Sequence, residues 1–425
     1  MSEGSGNGRG RALPPRGWII SELYYPEETS TGHVMTCIAD HLAAHGWTVG
    51  AISVQPTYSA RGIRVPRREQ HNGVSIERVW STTFHKDNLV GRFFNGVTTS
   101  LSITLRALRR IRRDDGVLVV TNPPLLPFLV LLVCRLRGAR CVLLVHDVHP
   151  EQMVAFGMLR EGSAMVRIIK FATGWLYRHL AHVVVIGRDM AQVVRRKAGT
   201  PDVPITVATN WADDDVVQPR PKRESAMLQR LGWTDAFVVQ YAGNMGRPNA
   251  IELIVEAATI LRDDPRIRFL FVGSGAKLSW LQREVAARRL ANVVVEKPVP
   301  RSEQTALLSA CDVGIVPLIP GMLGLGVPSR TYNVLAAGRP LVAIAHPESE
   351  VAQLVREEHV GWAVADTASP EELVATLRAA ARMPVTEMEG LRRRARDVAV
   401  NRYGRERILA HFDTVLRTTA GSTHS

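Results

Sequence analysis

Four cysteines in 425 residues, none in a Cys-x-x-Cys pair, supply neither a disulfide framework nor a thiolate metal site. Cys37, Cys134, Cys141 and Cys311 lie in apolar runs and read as buried thiols of a reducing compartment. No apolar run reaches the roughly 20 residues that a membrane-crossing helix needs. The longest candidate, LLPFLVLLVC at 125–134, follows Pro123-Pro124 and is expected as a buried or interfacial helix. Residues 1–16, MSEGSGNGRGRALPPR, lack the apolar core of a secretory signal and read as a disordered tail. Repeats of roughly 20 to 50 residues are absent as well, which excludes solenoids and propellers. Acid is also scarce: 40 Asp and Glu face 53 Lys and Arg, a formal charge of +13, so the chain is drawn to acidic surfaces.

What is present is apolar strand, glycine turn and helix, repeated. VVQYAGNMGRPNAIELIVEAATIL, 238–261, runs from a strand through Gly243, Asn244 and Gly246 into an amphipathic helix. Unpaired backbone N–H groups at a helix start, with the positive end of its dipole, favour an anion, and glycine allows close approach. RFLFVGSGAKLSWLQREVAARR, 268–289, repeats the design with Gly273 and Gly275. Taken singly, either turn reads equally as a tight connection that needs glycine and holds no ligand. Strand candidates follow at 293, 312 and 341, and between the last two lies GMLGLGVPSRTYNVLAAGRP. That stretch predicts a helix starting at Pro328-Ser329-Arg330, with Ser329 as its cap, and stopping at Gly338. Three loops then converge at the carboxyl ends of one parallel, doubly wound sheet, where such folds bind ligands. Each carries a cation: Arg247, Lys277 and Arg330 are the candidates for an anionic ligand.

The first half reads alike. GWIISELYY is a buried strand followed by PEETSTGH, with Gly32, and a helix ending at Gly46; five further strand candidates end with AHVVVIG. Fully apolar strands imply burial on both faces. The length calls for two domains, here 17–210 and 211–388, divided near ITVATNWADDDVVQPRP, with a final helix from about Glu389 to Thr418 within 389–425 crossing back to the first. His146-Asp147 ends the strand VLLV, where polar side chains project toward a site. His146, Asp147 and His149 are metal-ligand types, yet no further ligand cluster accompanies them, so no metal site is expected. His41 and His45, four apart on the first helix without an intervening zinc-helix Glu, read as surface or capping residues.

The fold class expected is therefore α/β, two doubly wound Rossmann-like domains facing across a cleft, an arrangement that resembles GT-B. The set TGH, LLVHDVHPEQMVAFGML, VVVIG with RDMAQVV, ATNWADDD, YAGNMGRPNAIELIVEAA, FVGSGA and VPSRTYNVLAAGRPLVAI resembles glycosyltransferase family 4 over about residues 17 to 385. More narrowly it looks like the bacterial O-antigen and exopolysaccharide branch, such as N-acetylfucosamine transferases. The resemblance implies transfer of a sugar from a nucleotide-diphosphate donor, UDP-sugar favoured, with retained configuration, no cofactor and no metal. It assigns His146, with Asp147 as the alternative, to the transferred sugar. Gly32, in the loop after the first strand, reads either as room for the donor diphosphate at the helix start or as a tight turn without a ligand. The chain departs from the family where many members carry two glutamates eight residues apart. Leu325 and Asn333 stand at those places, and an amide at Asn333 can bond a ribose hydroxyl without the charge of a carboxylate.

Arg92 to Arg113, RFFNGVTTSLSITLRALRRIRR, holds six arginines and no acid. It reads either as a helix lying on anionic lipid or as a solvated helix packed on the sheet by the same apolar stripe. Expected partners are a nucleotide sugar, a glycan or lipid-linked acceptor and an anionic membrane surface, with no nucleic acid, in the cytoplasm or at the inner face of the plasma membrane. The competing readings are a nucleotide-sugar hydrolase or epimerase of the same fold and a non-catalytic basic binding protein.

Overall fold

Short runs of Val, Ile and Leu bounded by glycine and polar turns form strands buried on both sides, and the intervening amphipathic stretches form the helices that cover them. The computed structural model describes residues 14–56, 63–84 and 89–421, and the chain divides into two units, residues 1–143 with 413–425 and residues 144–412. Of the tail read at 1–16, residues 1–13 lie outside the described residues, and Arg16 already opens the first strand.

The first unit contains β1 (Arg16–Ile20), β2 (Thr48–Val54), β3 (Arg68–His71), β4 (Val74–Val79), β5 (Gly116–Val120) and the start of β6 (Arg140–Val145). Their order is β3-β4-β2-β1-β5-β6; β4, β2, β1 and β5 pair in parallel, and β3 forms an antiparallel hairpin with β4. That hairpin turns on Asn72 and Gly73, both with positive φ. The helix Ser30–Ala44 begins at Thr29, whose side chain accepts from Gly32 N. His45 occupies its C-cap, whereas His41 is buried and stacks on the His45 ring at 4.0 Å, so the surface reading of His41 is corrected. Trp47 Nε1 donates to Asp413 Oδ1 at 2.6 Å, one of the bonds by which the end of the chain joins this unit.

The second unit begins with the end of β6 and holds the parallel pair β7 (His182–Val185) and β8 (Ile205–Val207). Its second sheet comprises β9 (Phe237–Asn244), β10 (Ile267–Ser274), β11 (Val293–Glu296), β12 (Val313–Pro317), β13 (Leu341–Ile344) and β14 (Gly361–Val364), ordered β11-β10-β9-β12-β13-β14 and parallel throughout. Alternation along β10 shows the two covered faces. Ile267, Phe269 and Phe271 enter one core cluster, Leu270 and Val272 the other. The boundary read at 210 and 211 falls inside this unit, beside the bridge between Ala212 and Gly404.

The single final helix is corrected to two, Val385–Tyr403 and Arg405–Gly421. Gly404 between them is extended, Ala212 N donates to Tyr403 O, and Asp214 Oδ1 accepts from Arg405 N. A Cβ on Gly404 would sit 2.6 Å from Val400 O, so a larger residue does not fit this break. Among the described residues no helix is long and apolar enough to cross a membrane.

Candidate functional site

Two turns lie side by side at the carboxyl ends of β9 and β10. The strands are in register to their last residues, Gly273 against Gly243 and Ser274 against Asn244. A Cβ on Gly273 would meet Gly243 O at 1.9 Å, and one on Gly275 would meet Asn244 Oδ1 at 2.4 Å, so only glycine lets the turns touch. Met245 N donates to Ser274 O at 2.6 Å and Lys277 N to Met245 O at 3.0 Å, locking one turn to the other. The backbone N–H groups of Gly246, Arg247, Gly275 and Ala276 make no hydrogen bond among the described residues. Such a group of free donors at two helix approaches attracts an anion.

Arg330 comes to the same place from the third loop. Its guanidinium carbon lies 4.4 Å from the centroid of the Tyr241 ring and 3.4 Å from where a Gly243 Cβ would stand. Nη2 reaches Asn244 O and Asn249 Oδ1, each at 3.4 Å, while Nη1 is buried with no hydrogen-bond partner. No carboxylate pairs with Arg330 among the described residues. The Tyr241 hydroxyl titrates above its ordinary range because it is buried, with Arg330 pulling the other way.

Asn249 and Tyr241 were not singled out from sequence. Asn249 is 4% exposed, and its Nδ2 donates to Asn244 O at 3.1 Å. Lys277 Nζ, expected to be free for a ligand, bonds Asn249 O at 2.8 Å and Glu252 Oε1 at 2.7 Å. Its charge is therefore engaged in holding the turn. Arg247 is exposed and makes no ion pair among the described residues.

The third loop, residues 321–327, is tied down at three points. Asp189 Oδ2 accepts from Gly324 N at 3.0 Å, Asn210 Nδ2 donates to Val327 O at 3.2 Å, and Val148 N donates to Leu325 O at 3.3 Å. These bonds set the start of the helix Arg330–Ala336. Ser329 stands at its N-cap position, but its side chain makes no capping bond and its backbone is helical, which corrects that reading. Asn333 is 7% exposed; its Oδ1 accepts from Asp213 N at 2.7 Å and its Nδ2 donates to Asp213 Oδ2 at 3.2 Å. Asn333 thus anchors the segment at Asp213, which also pairs with Arg301 and Arg405. Leu325 gives its carbonyl to Val148 N, and Asn333 its amide to the buried Asp213.

His146 and Asp147 follow β6 and border the third loop. A Cβ on Gly326 would stand 3.5 Å from His146 O and 3.8 Å from Asp147 Oδ1. Gln152 Nε2 donates to Asp147 Oδ1 at 2.6 Å. Burial holds the His146 imidazole below its ordinary pKa against the opposing pull of Asp147, so it is neutral at pH 7. His149 is lowered by burial too, and its carbonyl accepts from Lys197 Nζ. Gly32 belongs to the first unit and is buried. There a Cβ would collide with Glu27 O at 2.6 Å, so close packing of the turn accounts for this glycine. The structure brings Gly243, Asn244, Gly246, Gly273, Gly275, Lys277 and Arg330 together.

Comparison with known proteins places these features. Residues 236–382 match the family model described as glycosyl transferases group 1, and residues 31–211 match the glycosyl transferase 4-like domain. The chain is 32% identical over 278 residues to a probable glycosyltransferase, WbjE, of Pseudomonas aeruginosa, covering 65% of this chain and 69% of that one. It is 27% identical over 409 residues to the putative colanic acid biosynthesis glycosyl transferase WcaI of Escherichia coli K12, covering 93% and 98%. Among solved structures, Anabaena HepE in complex with UDP and glucose superposes with a TM-score of 0.70 at 13% identity, covering 95% of this chain and 100% of that one.

Proposed function

The chain belongs to the group 1 glycosyltransferases and has their GT-B fold, and from that premise we propose that the turns after β9 and β10 hold the diphosphate of a nucleotide sugar, with Arg330 as its main counter-charge. The observation that carries this is Arg330 itself: a guanidinium fixed over Tyr241, without a carboxylate among the described residues, beside four unpaired backbone N–H groups. When the bond from the anomeric carbon to the diphosphate oxygen breaks, negative charge grows on the diphosphate. Donors fixed there beforehand stabilise that charge without a metal ion. An acceptor hydroxyl oxygen bonds to the same face of the sugar, configuration is retained, and its proton passes to the departing diphosphate. His146, kept neutral by burial, lies against the sugar and adds no positive charge to the oxocarbenium-like centre. UDP is the favoured leaving group, supported by the UDP held in the similar Anabaena fold.

The acceptor we propose is membrane-borne and belongs to cell-surface glycan synthesis, in keeping with the name of the WcaI relative. Support comes from the outer face of the helix Leu89–Arg110. Asn95, Thr99, Ile103 and Ala107 are buried, whereas Val90, Phe93, Phe94, Leu101 and Leu105 are exposed, Phe93 by 67%. The packed face and the apolar outer face are different, so packing on the sheet leaves an apolar stripe beside arginines for an anionic inner leaflet. The test is UDP release from a panel of UDP-sugars in EDTA, with and without bacterial lipid extract. Release from one sugar that depends on the extract is expected; release independent of any acceptor would make the chain a hydrolase and overturn the reading.

A further inference from the structure

A cavity of about 630 Å³ opens in the second unit among Pro219–Arg223, the Gly338–Arg339 turn and one face of the helix Val385–Tyr403. It lies away from the donor turns. Arg339 precedes β13 and Thr234 precedes β9, whereas the donor turns follow β9 and β10, so the cavity sits at the amino end of the same sheet. Seven cationic side chains line it against two carboxylates, Glu389 and Asp397.

Part of that charge is neutralised internally. Asp312, buried beside the cavity, accepts from Lys222 Nζ at 2.6 Å and Arg392 Nη2 at 2.8 Å, and Glu389 pairs with Arg392. Arg396 is satisfied by the carbonyls of Val217, Ala336 and Asp214 and by Gln218. Arg220, Arg223 and Arg393 make no ion pair among the described residues. Arg339 is the physical anomaly. It is 3% exposed, bonds only the carbonyls of Arg220 and Ser309, and keeps a buried Nε with no partner. A buried guanidinium without a carboxylate is costly unless an anion answers it. Burial accordingly pulls its pKa down from the ordinary arginine value.

We propose that this cavity is a second anion site, separate from the donor site, that takes a small soluble ligand bearing two or more phosphates. The volume suits a ligand of that size. Arginine forks matched to phosphate oxygens supply the recognition. No large apolar side chain lines the cavity, which favours a free phosphate compound over a lipid headgroup.

The experiment is a calorimetric titration of inorganic pyrophosphate in EDTA. Wild type and Arg330→Ala are compared with a double variant, Arg220→Ala with Arg393→Ala, both exposed positions. The expected result is a site that survives in Arg330→Ala and weakens about ten-fold or more in the double variant. UDP affinity in the double variant should stay at the wild-type value. Three outcomes overturn the proposal. In one, no pyrophosphate binds to Arg330→Ala; in another, the double variant titrates like wild type. In the third, the double variant loses binding to phosphatidylglycerol vesicles while pyrophosphate binding is unchanged, which would make the surface a lipid contact. Failure of the donor reading would show instead as unchanged UDP affinity in Arg330→Ala.

Discussion

A guanidinium lying against an aromatic ring has given up most of its rotamer freedom before a ligand arrives, and this distinguishes Arg330 from Arg247 and Lys277. All three cations were visible in the sequence as loop arginines or lysine. Their ranking was not, because it depends on Glu252, which neutralises Lys277 from 25 residues away, and on Tyr241, which underlies Arg330. His146 was legible as a polar residue ending an apolar strand; its protonation state depends on burial that spacing does not reveal. His146→Ala is expected to lower turnover by about 10²-fold or more with UDP affinity retained. Equal loss of both, in a steady-state assay beside a binding titration, would make the residue structural. Burial also lowers His149. Unfolded histidine takes up a proton near pH 6.5, and the folded residue does so only at lower pH. The unfolded state therefore binds more protons in that window, and stability present above about pH 6.5 declines as pH falls through it. Urea melts from pH 7 to 5 should show a shallower decline in His149→Gln than in wild type; identical slopes would contradict the assignment.

At the scale of elements, the helix Arg330–Ala336 was predicted from Pro328 and Gly338, and the structure forms it between those limits. Its purpose at position 333 was not readable, because Asn333 answers Asp213, 120 residues earlier in the chain. A carboxylate at 333 would face the buried Asp213 carboxylate, so Asn333→Asp should cost about 1–3 kcal/mol in chemical denaturation. No loss of stability would show the pairing to be incidental. The break at Gly404 was missed for a similar reason: its cause lies at Ala212 and Asp214, not in the local sequence. The helix Leu89–Arg110 left two readings open on sequence; it buries Ile103 and Ala107 and exposes Phe93 and Leu105, and the proposed membrane contact rests on that exposed face. Phe93→Asp with Leu105→Asp should reduce sedimentation with phosphatidylglycerol vesicles several-fold while leaving the melting temperature near wild type, since neither side chain is buried. Vesicle binding that persists would remove the membrane role from this helix.

Across the whole molecule, alternation of apolar strands with amphipathic helices made both parallel sheets legible, since that pattern allows few other architectures. β3 and β14 were not anticipated. β3, REQH, is polar and pairs only at the edge, and β14, GWAV, is too short to carry a period. The division of the chain into units follows contacts distant in sequence, including those of Asp413, and no composition shift marks it. The formal charge of +13 pointed to acidic partners without locating them. The structure concentrates part of that charge in the cavity at the amino end of the second sheet and part along the helix Leu89–Arg110. The central claim, a metal-independent donor site built around Arg330, is tested most directly by titrating UDP into wild type and Arg330→Ala in EDTA. Saturable one-to-one binding by wild type, weakened about 10- to 100-fold in the variant with the melting temperature preserved, is the expected result. Equal affinity in the two proteins, or no binding by folded wild type, would contradict the account.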